Sequence, residues 1–266
     1  MRTLIVIPAR YASSRFPGKP LATLTGATGV SKTLIERSWM AAMDVEGIDR
    51  VVVATDDDRI RSACEAIGAE VVMTSEDCGN GTERCADAFQ ILGGDYDIIV
   101  NLQGDAPLTP AWFVEDLVSA LKNDETAQVA TPVLRCDGHA LNGFLADRRA
   151  GRVGGTTAVF AANSHALYFS KEVIPFTSKI YSDTAQTPVF HHVGVYAFRP
   201  KALMDYLSWN VGPLEQLEGL EQLRFMENGH SVLCVEVEAK GRQFWELNNP
   251  EDTPRIEQMM REMGVE

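Results

Sequence analysis

The apolar positions of the first half fall into short unbroken runs separated by amphipathic stretches. Leu4-Ile5-Val6-Ile7, Val51-Val52-Val53-Ala54 and Ile98-Ile99-Val100 do not alternate with polar residues, which suits strands buried on both faces. A further run, Glu70 to Thr74, predicts a third strand in the series. Between these runs the apolar residues recur at helical spacing. Lys32 to Val45 places Leu34, Ile35, Trp39 and Met43 on one face, and the helix that starts with Arg59-Ile60 turns Cys64 and Ile67 inward. Asp57 or Asp58 is its expected cap and Gly68 its stop. A further helix runs through Arg84, Ala88 and Ile91. This βαβαβαβ rhythm predicts an α/β fold: a mostly parallel twisted sheet with helices on both faces.

The second half is more mixed. Val129 to Leu134 reads as an edge strand because of Pro132, and 139–155 reads as loop. Thr156–Phe160, Ala166–Ser170 and Val193–Phe198 read as strands in mixed pairing. Pro213 to Asn228 reads as one helix closed by Gly229, followed by a last strand over 231–238 and a terminal helix from Pro250 to Met263. We expect a single domain over 1–266, with an insertion at about 139–200.

Chemistry concentrates where the first apolar run ends. Pro8 stops the ladder, and Arg10, Arg15 and Lys19 follow within a loop of small residues and a Pro17-Gly18 turn. Open α/β sheets bind ligands at the carboxyl ends of their strands, and guanidinium and ammonium groups suit a polyphosphate. A solvated basic loop is the bland alternative. Gln103-Gly104-Asp105 follows the fourth run directly. A lone aspartate there can hold a divalent cation against phosphate oxygens, or simply cap the helix starting near Pro110. Gly26-Ala27-Thr28-Gly29-Val30-Ser31-Lys32-Thr33 misses a phosphate-loop motif by one residue and has no strand before it, so a turn and helix cap is the better account.

Of the 266 residues, 45% are hydrophobic and 23% charged, with 37 acids against 24 bases and a net charge of −13. That balance argues against nucleic acid or an anionic membrane surface as partner. It also makes the cationic loop locally anomalous. The five cysteines form no CxxC pair, no apolar stretch approaches the roughly 18 residues of a membrane span, and the N-terminus lacks a signal-peptide pattern. A cytoplasmic location is expected.

The stretch Ile7-Pro8-Ala9-Arg10-Tyr11-Ala12-Ser13-Ser14-Arg15-Phe16-Pro17-Gly18-Lys19-Pro20-Leu21 resembles the signature of 3-deoxy-manno-octulosonate (Kdo) cytidylyltransferases, or CMP-Kdo synthetases. The resemblance continues through Val53-Ala54-Thr55-Asp56-Asp57, Gly81-Thr82-Glu83-Arg84, Gln103-Gly104-Asp105, Ala166-Leu167-Tyr168-Phe169-Ser170, His192-Val193-Gly194-Val195-Tyr196 and Leu220-Glu221-Gln222-Leu223-Arg224. It implies a nucleotide-diphospho-sugar transferase-like fold, with the insertion used in homodimerisation. It also implies an enzyme that joins CTP to a 3-deoxy-2-keto sugar acid with Mg²⁺, releasing pyrophosphate. Lipopolysaccharide is a glycan such a product would serve, with a capsule or another glycan left open.

By the same resemblance, Ala9, Arg10, Ser14, Arg15 and Lys19 belong to the CTP side, with Gly81, Thr82 and Arg84 toward the cytosine end. Gln103 lies near ribose or sugar, and Asp105 binds Mg²⁺. Arg10, Lys19 and Asp105 are the expected catalytic residues. His192, Tyr196, Glu218 and Gln222 match the sugar-acid side. Glu218 and Gln222 are four apart and would share a helix face, which without the family reads equally as a solvated stripe.

Three departures stand out. Asn248 occupies the place of the family's second metal-binding aspartate and should bind more weakly, with Glu246 or Glu251 available to compensate. Ala106 stands where a glutamate is usual. Thr156-Thr157-Ala158 replaces a lysine-bearing segment, with Arg148, Arg149 and Arg152 just upstream, and a divergent dimer hairpin accounts for this region somewhat better than an altered acid site. These changes leave open a different acid, such as a sialic-type sugar, and a non-catalytic nucleotide- or sugar-binding homologue.

Overall fold

A computed structural model describes residues 1–12, 16–105, 107–153, 155–242, 247 and 249–265. They form two compact units, one of Met1–Val118 with Ala239–Glu266 and one of Ser119–Glu238. The fold is mixed α/β.

In the first unit the chain runs β1 (Thr3–Ala9), β2 (Thr23–Thr25), β3 (Ser31–Thr33), α1 (Leu34–Met43), β4 (Arg50–Thr55), α2 (Asp58–Ala66), β5 (Val71–Met73), α3 (Gly81–Leu92) and β6 (Ile98–Leu102). Helix α4 (Ala111–Asn123) leads onward, and the terminal helix Thr253–Met263 returns to this unit. The sheet order is β5-β4-β1-β6, every pair parallel. Leu4 to Ile7 and Ile98 to Val100 are wholly buried, as unbroken apolar runs require. The cap assignments follow side-chain chemistry: Thr33 accepts from the Glu36 amide, Asp57 from the Arg59 and Ile60 amides, and Asn80 from the Glu83 amide. The sequence reading that no strand precedes the near-miss phosphate-loop motif is corrected, since β2 ends directly before Gly26. Strand β2 turns back through residues 26–30 into β3, so the motif is a hairpin plus the Thr33 cap and not a strand–loop–helix. Leu24 and Leu34 pack with Leu108, Leu247, Ile256 and Met260.

The second unit contains β7 (Val129–Asp137), α5 (Gly138–Arg149), β8 (Thr156–Phe160), β9 (Ala166–Ser170), β10 (Gln186–His192), β11 (Val195–Phe198), α6 (Pro200–Ser208), α7 (Pro213–Glu218), α8 (Leu223–Glu227) and β12 (Leu233–Glu236). Its pairing is mixed: β12 runs parallel to β7, whereas β10 and β11 run antiparallel to it.

Three sequence expectations are corrected here. The strand with Pro132 is not an edge: β7 pairs with β11 at 129–130 and with β10 at 133–137, while β12 occupies its other side. The partner changes at Thr131–Pro132, where an absent N–H costs no ladder bond. Residues 138–149 are helical, with Asp137 Oδ1 accepting from the Ala140 amide at 2.8 Å. The weak helix formers Gly138, His139, Asn142 and Gly143 hid this helix. The helix expected over 213–228 is two, because Gly219 adopts a left-handed conformation (φ 61°) and ends α7.

Candidate active site

In the first unit the winding direction reverses between β1 and β6, adjacent strands whose carboxyl ends carry the two motif loops. Such a reversal opens a crevice for ligand. Gly104 brings the two loops together, since a Cβ on it would lie 2.7 Å from the Pro8 carbonyl oxygen. Ser38 Oγ fixes the same glycine by donating to its carbonyl at 3.0 Å. Across the crevice Lys19 Nζ donates to Asp105 Oδ2 at 2.6 Å. Lys19 is held on a short 3-10 turn, Lys19–Leu21, preset by Pro20. Arg10 is exposed and Ala9 buried at the strand's end. Ser14 and Arg15 lie outside the described residues.

The N-terminus of α3 forms a second wall. A Cβ on Gly81 would come within 3.0 Å of Gln103 Nε2 and 3.4 Å of Asn101 Nδ2, so the glycine admits both amides. Glu83 reaches back to the Gly79 amide at 2.6 Å and Thr82 is buried, which stiffens this turn. Arg84 is only 3% exposed. It donates to Asp56 Oδ2 at 2.9 Å and Thr74 Oγ1 at 2.7 Å, tying together the chain beyond β4 and β5. Sequence reasoning passed over Asn101. It is wholly buried in β6, and neither its Oδ1 nor its Nδ2 has a hydrogen-bond partner. Each such orphaned group costs on the order of 1–3 kcal/mol. Its one signal was a carboxamide inside an apolar strand.

The donor set around Asp105 fits a hard cation. The side chain is partly exposed, and Mg²⁺ sites commonly use one or two carboxylates with substrate phosphates completing the shell. Among the described residues no group of three or more His, Cys, Asp and Glu could hold a metal by itself. The Leu247 amide donates to the Asp105 carbonyl at 3.0 Å. Asn248, Glu246 and Ala106 themselves lie outside the described residues; Glu251 is exposed.

The second unit gathers His192, Tyr196 and Gln222. The His192 and Tyr196 ring centroids are 5.6 Å apart, and Tyr196 OH donates to Gln222 Oε1 at 3.0 Å. Gln222 Nε2 is buried without a partner. Thr131 Oγ1 sends its one proton to the Val195 carbonyl at 2.8 Å, so at 2.9 Å it accepts from His192 Nε2–H. Burial lowers the His192 pKa to about 3, which leaves the ring neutral at pH 7.

Glu218 is tied to the end of β9. Its carboxylate accepts from Ser170 Oγ at 2.7 Å and the Lys171 amide at 2.9 Å, and with Gly219 ending α7 it shares no helix face with Gln222. The arginines upstream of β8 are engaged locally, Arg148 with Glu172 and Arg152 with Asp147 at 2.6 Å.

Comparison with known proteins places the chain in a family. The cytidylyltransferase family model matches residues 4–237. A 3-deoxy-manno-octulosonate cytidylyltransferase of Maricaulis maris is 44% identical over 264 residues, covering 99% of each chain. The mitochondrial protein of that description from Arabidopsis thaliana is 37% identical, covering 99% of this chain and 85% of its own. A solved CMP:2-keto-3-deoxy-manno-octonic acid synthetase complexed with CTP aligns with a TM-score of 0.82 at 32% identity, over 99% of this chain and all of the other. The 4-diphosphocytidyl-2C-methyl-D-erythritol synthase of Anaerococcus prevotii shares the fold alone, with a TM-score of 0.58 at 13% identity over 98% and 99% of the chains.

Proposed function

The chain belongs to the 3-deoxy-manno-octulosonate cytidylyltransferase family, and on that premise we propose that it joins CTP to Kdo or a close 3-deoxy-2-keto sugar acid. The products are the CMP-sugar and pyrophosphate. The observation that carries this reading is the meeting of Lys19 and Asp105 at the sheet's switch point.

The acceptor's anomeric hydroxyl gives up its proton to solvent and attacks the α-phosphorus in line as the bond from that phosphorus to the pyrophosphate oxygen breaks. Arg10 and Lys19 neutralise charge gathering on the leaving pyrophosphate, with Arg15 and Ser14 as further phosphate donors on the family pattern. Asp105 would hold Mg²⁺ with Asn248 as a weaker ligand; the ion supplies charge neutralisation at the phosphate oxygens. Ala9, Gly81, Thr82 and Gln103 bind the nucleotide, Gln103 also serving the sugar. We assign Arg84 to positioning the nucleotide wall rather than touching CTP, since the guanidinium is buried and turns Nη1 to Thr74 and Nη2 to Asp56. His192, Tyr196 and Gln222 serve the sugar acid through neutral hydrogen bonds, and Glu218 supports them by fixing the end of β9.

A homodimer and a cytoplasmic setting complete the proposal, with lipopolysaccharide as the glycan served. Phe176 and Ile180, 90% and 94% exposed between β9 and β10, support self-association. The five cysteines are free thiols, four of them buried, and among the described residues no helix is long and apolar enough to cross a membrane. An acceptor panel tests the function: pyrophosphate release from CTP and Mg²⁺ with Kdo, its 8-amino analogue, a sialic acid and no acceptor. Turnover confined to a sialic acid, or absent throughout, would overturn it. Sedimentation of the parent and of Phe176→Ser with Ile180→Ser tests the dimer.

A further inference from the structure

The start of α2 plays no part in the chemistry proposed above, yet it closes on the first loop. The Arg59 guanidinium carbon lies 3.3 Å from the centroid of the Tyr11 ring. Asp57, the cap of α2, fixes that guanidinium as a fork: Nε donates to Oδ1 at 3.0 Å and Nη2 to Oδ2 at 2.6 Å. The same Oδ1 accepts the Arg59 amide at 2.9 Å, so helix cap and fork are one unit.

Tyr11 is also tied to the far end of the loop. The Gly18 amide donates to the Tyr11 carbonyl at 2.9 Å, and a Cβ on Gly18 would meet the Tyr11 ring at 3.0 Å. Gly18 has φ 69°, the left-handed region where a side chain is strained. Residues 11 and 18 are thereby joined by a backbone bond and by ring packing. Arg10 immediately precedes this closure and Lys19 immediately follows it.

We infer that the Tyr11–Arg59 stack, seated against Gly18, is a clasp that pins Tyr11 to Gly18 at the two ends of the first loop and so sets where Arg10 and Lys19 meet the triphosphate of a nucleotide. Tyr11, Gly18, Asp57 and Arg59 are positioning residues. The inference rests on the proposed CTP chemistry for its kinetic consequence, and on the geometry alone for the closure. Arginine is required at 59 because a lysine cannot both fork to Asp57 and lie flat on a ring. The run of three aspartates after β4 then has a use beyond capping.

The test compares the parent with Tyr11→Leu, Tyr11→Phe and Arg59→Gln, all as full-length protein. Hydrogen–deuterium exchange of the peptide spanning 10–19 reads the closure without reference to activity. Exchange there should rise in Tyr11→Leu and Arg59→Gln, with peptides of β1 and β6 unchanged, and stay at the parent level in Tyr11→Phe. The KM for CTP should rise roughly two- to fivefold in Arg59→Gln, the scale of one exposed cation–π contact, and about tenfold in Tyr11→Leu, with kcat near the parent's. Tyr11→Phe should restore it. Unchanged exchange in both disruptive variants would overturn the clasp, as would raised exchange with an unchanged KM. A parent that releases no pyrophosphate from CTP would instead show, before any variant is made, that the proposed reaction is at fault.

Discussion

Lys19 Nζ donates to Asp105 Oδ2 at 2.6 Å, joining two loops that lie 86 residues apart in sequence. Their side chains are only 16% and 28% exposed, so the pair is shielded without being sealed. The expected consequence is that the two residues act as a unit. Asp105→Asn keeps the shape and removes the charge; it should lower kcat for pyrophosphate release about a hundredfold to a thousandfold. Lys19→Met should raise the CTP KM and lower kcat together. A double variant no worse than Asp105→Asn alone would show the coupling.

Gly104 allows the close approach that makes this pair. Gly104→Ala drives a Cβ against the Pro8 carbonyl oxygen and should destabilise the protein by roughly 1–3 kcal/mol while weakening CTP binding. Gly143→Ala is the control: it lies in α5 with nothing within 4 Å of the added carbon, and should stabilise by about 0.5–1 kcal/mol. Urea unfolding midpoints read both.

Arg84 was legible as a site residue by motif but not in its physical role. The buried guanidinium bridges Asp56 and Thr74, so Arg84→Met strands a carboxylate and should cost about 3–5 kcal/mol of stability. Measured at a temperature where the variant remains folded, the kcat loss should be smaller than for Asp105→Asn.

How far the sequence carried depended on the range of the forces involved. The parallel half was readable because unbroken apolar runs and capping residues such as Thr33, Asp57 and Asn80 act within a few positions. The switch point was not legible in this way, since it depends on the strand order β5-β4-β1-β6, which local pattern does not record. The second unit was harder. Pro132 argues against a central strand on local grounds, and only the change of partner from β11 to β10 makes it acceptable. Gly219 is one glycine in an otherwise helical pattern, yet its left-handed conformation separates Glu218 from Gln222. Asn101 and the Tyr11–Arg59 stack depend on contacts between distant segments, which no periodicity records.

His192 gives the protein a sign-definite pH dependence. Burial lowers its folded pKa to about 3 from an ordinary 6.5, so the unfolded chain takes up a proton that the native state refuses. The contribution is fully present above pH 6.5 and is lost as pH falls toward 3, amounting to about 2 kcal/mol by pH 5. His192→Gln should be less stable than the parent at pH 7.5, and the gap should narrow as pH falls to 5. A gap that widens toward acid would contradict a buried neutral imidazole. Thermal unfolding across that range measures it.

The most direct measurement is ³¹P NMR of CTP, Mg²⁺ and Kdo incubated with the protein. The three CTP resonances should give way to one phosphodiester signal and one pyrophosphate signal with integrals of one to two, with no change when Kdo is omitted. CTP resonances that persist with Kdo present, or that decay equally without it, would contradict the central claim.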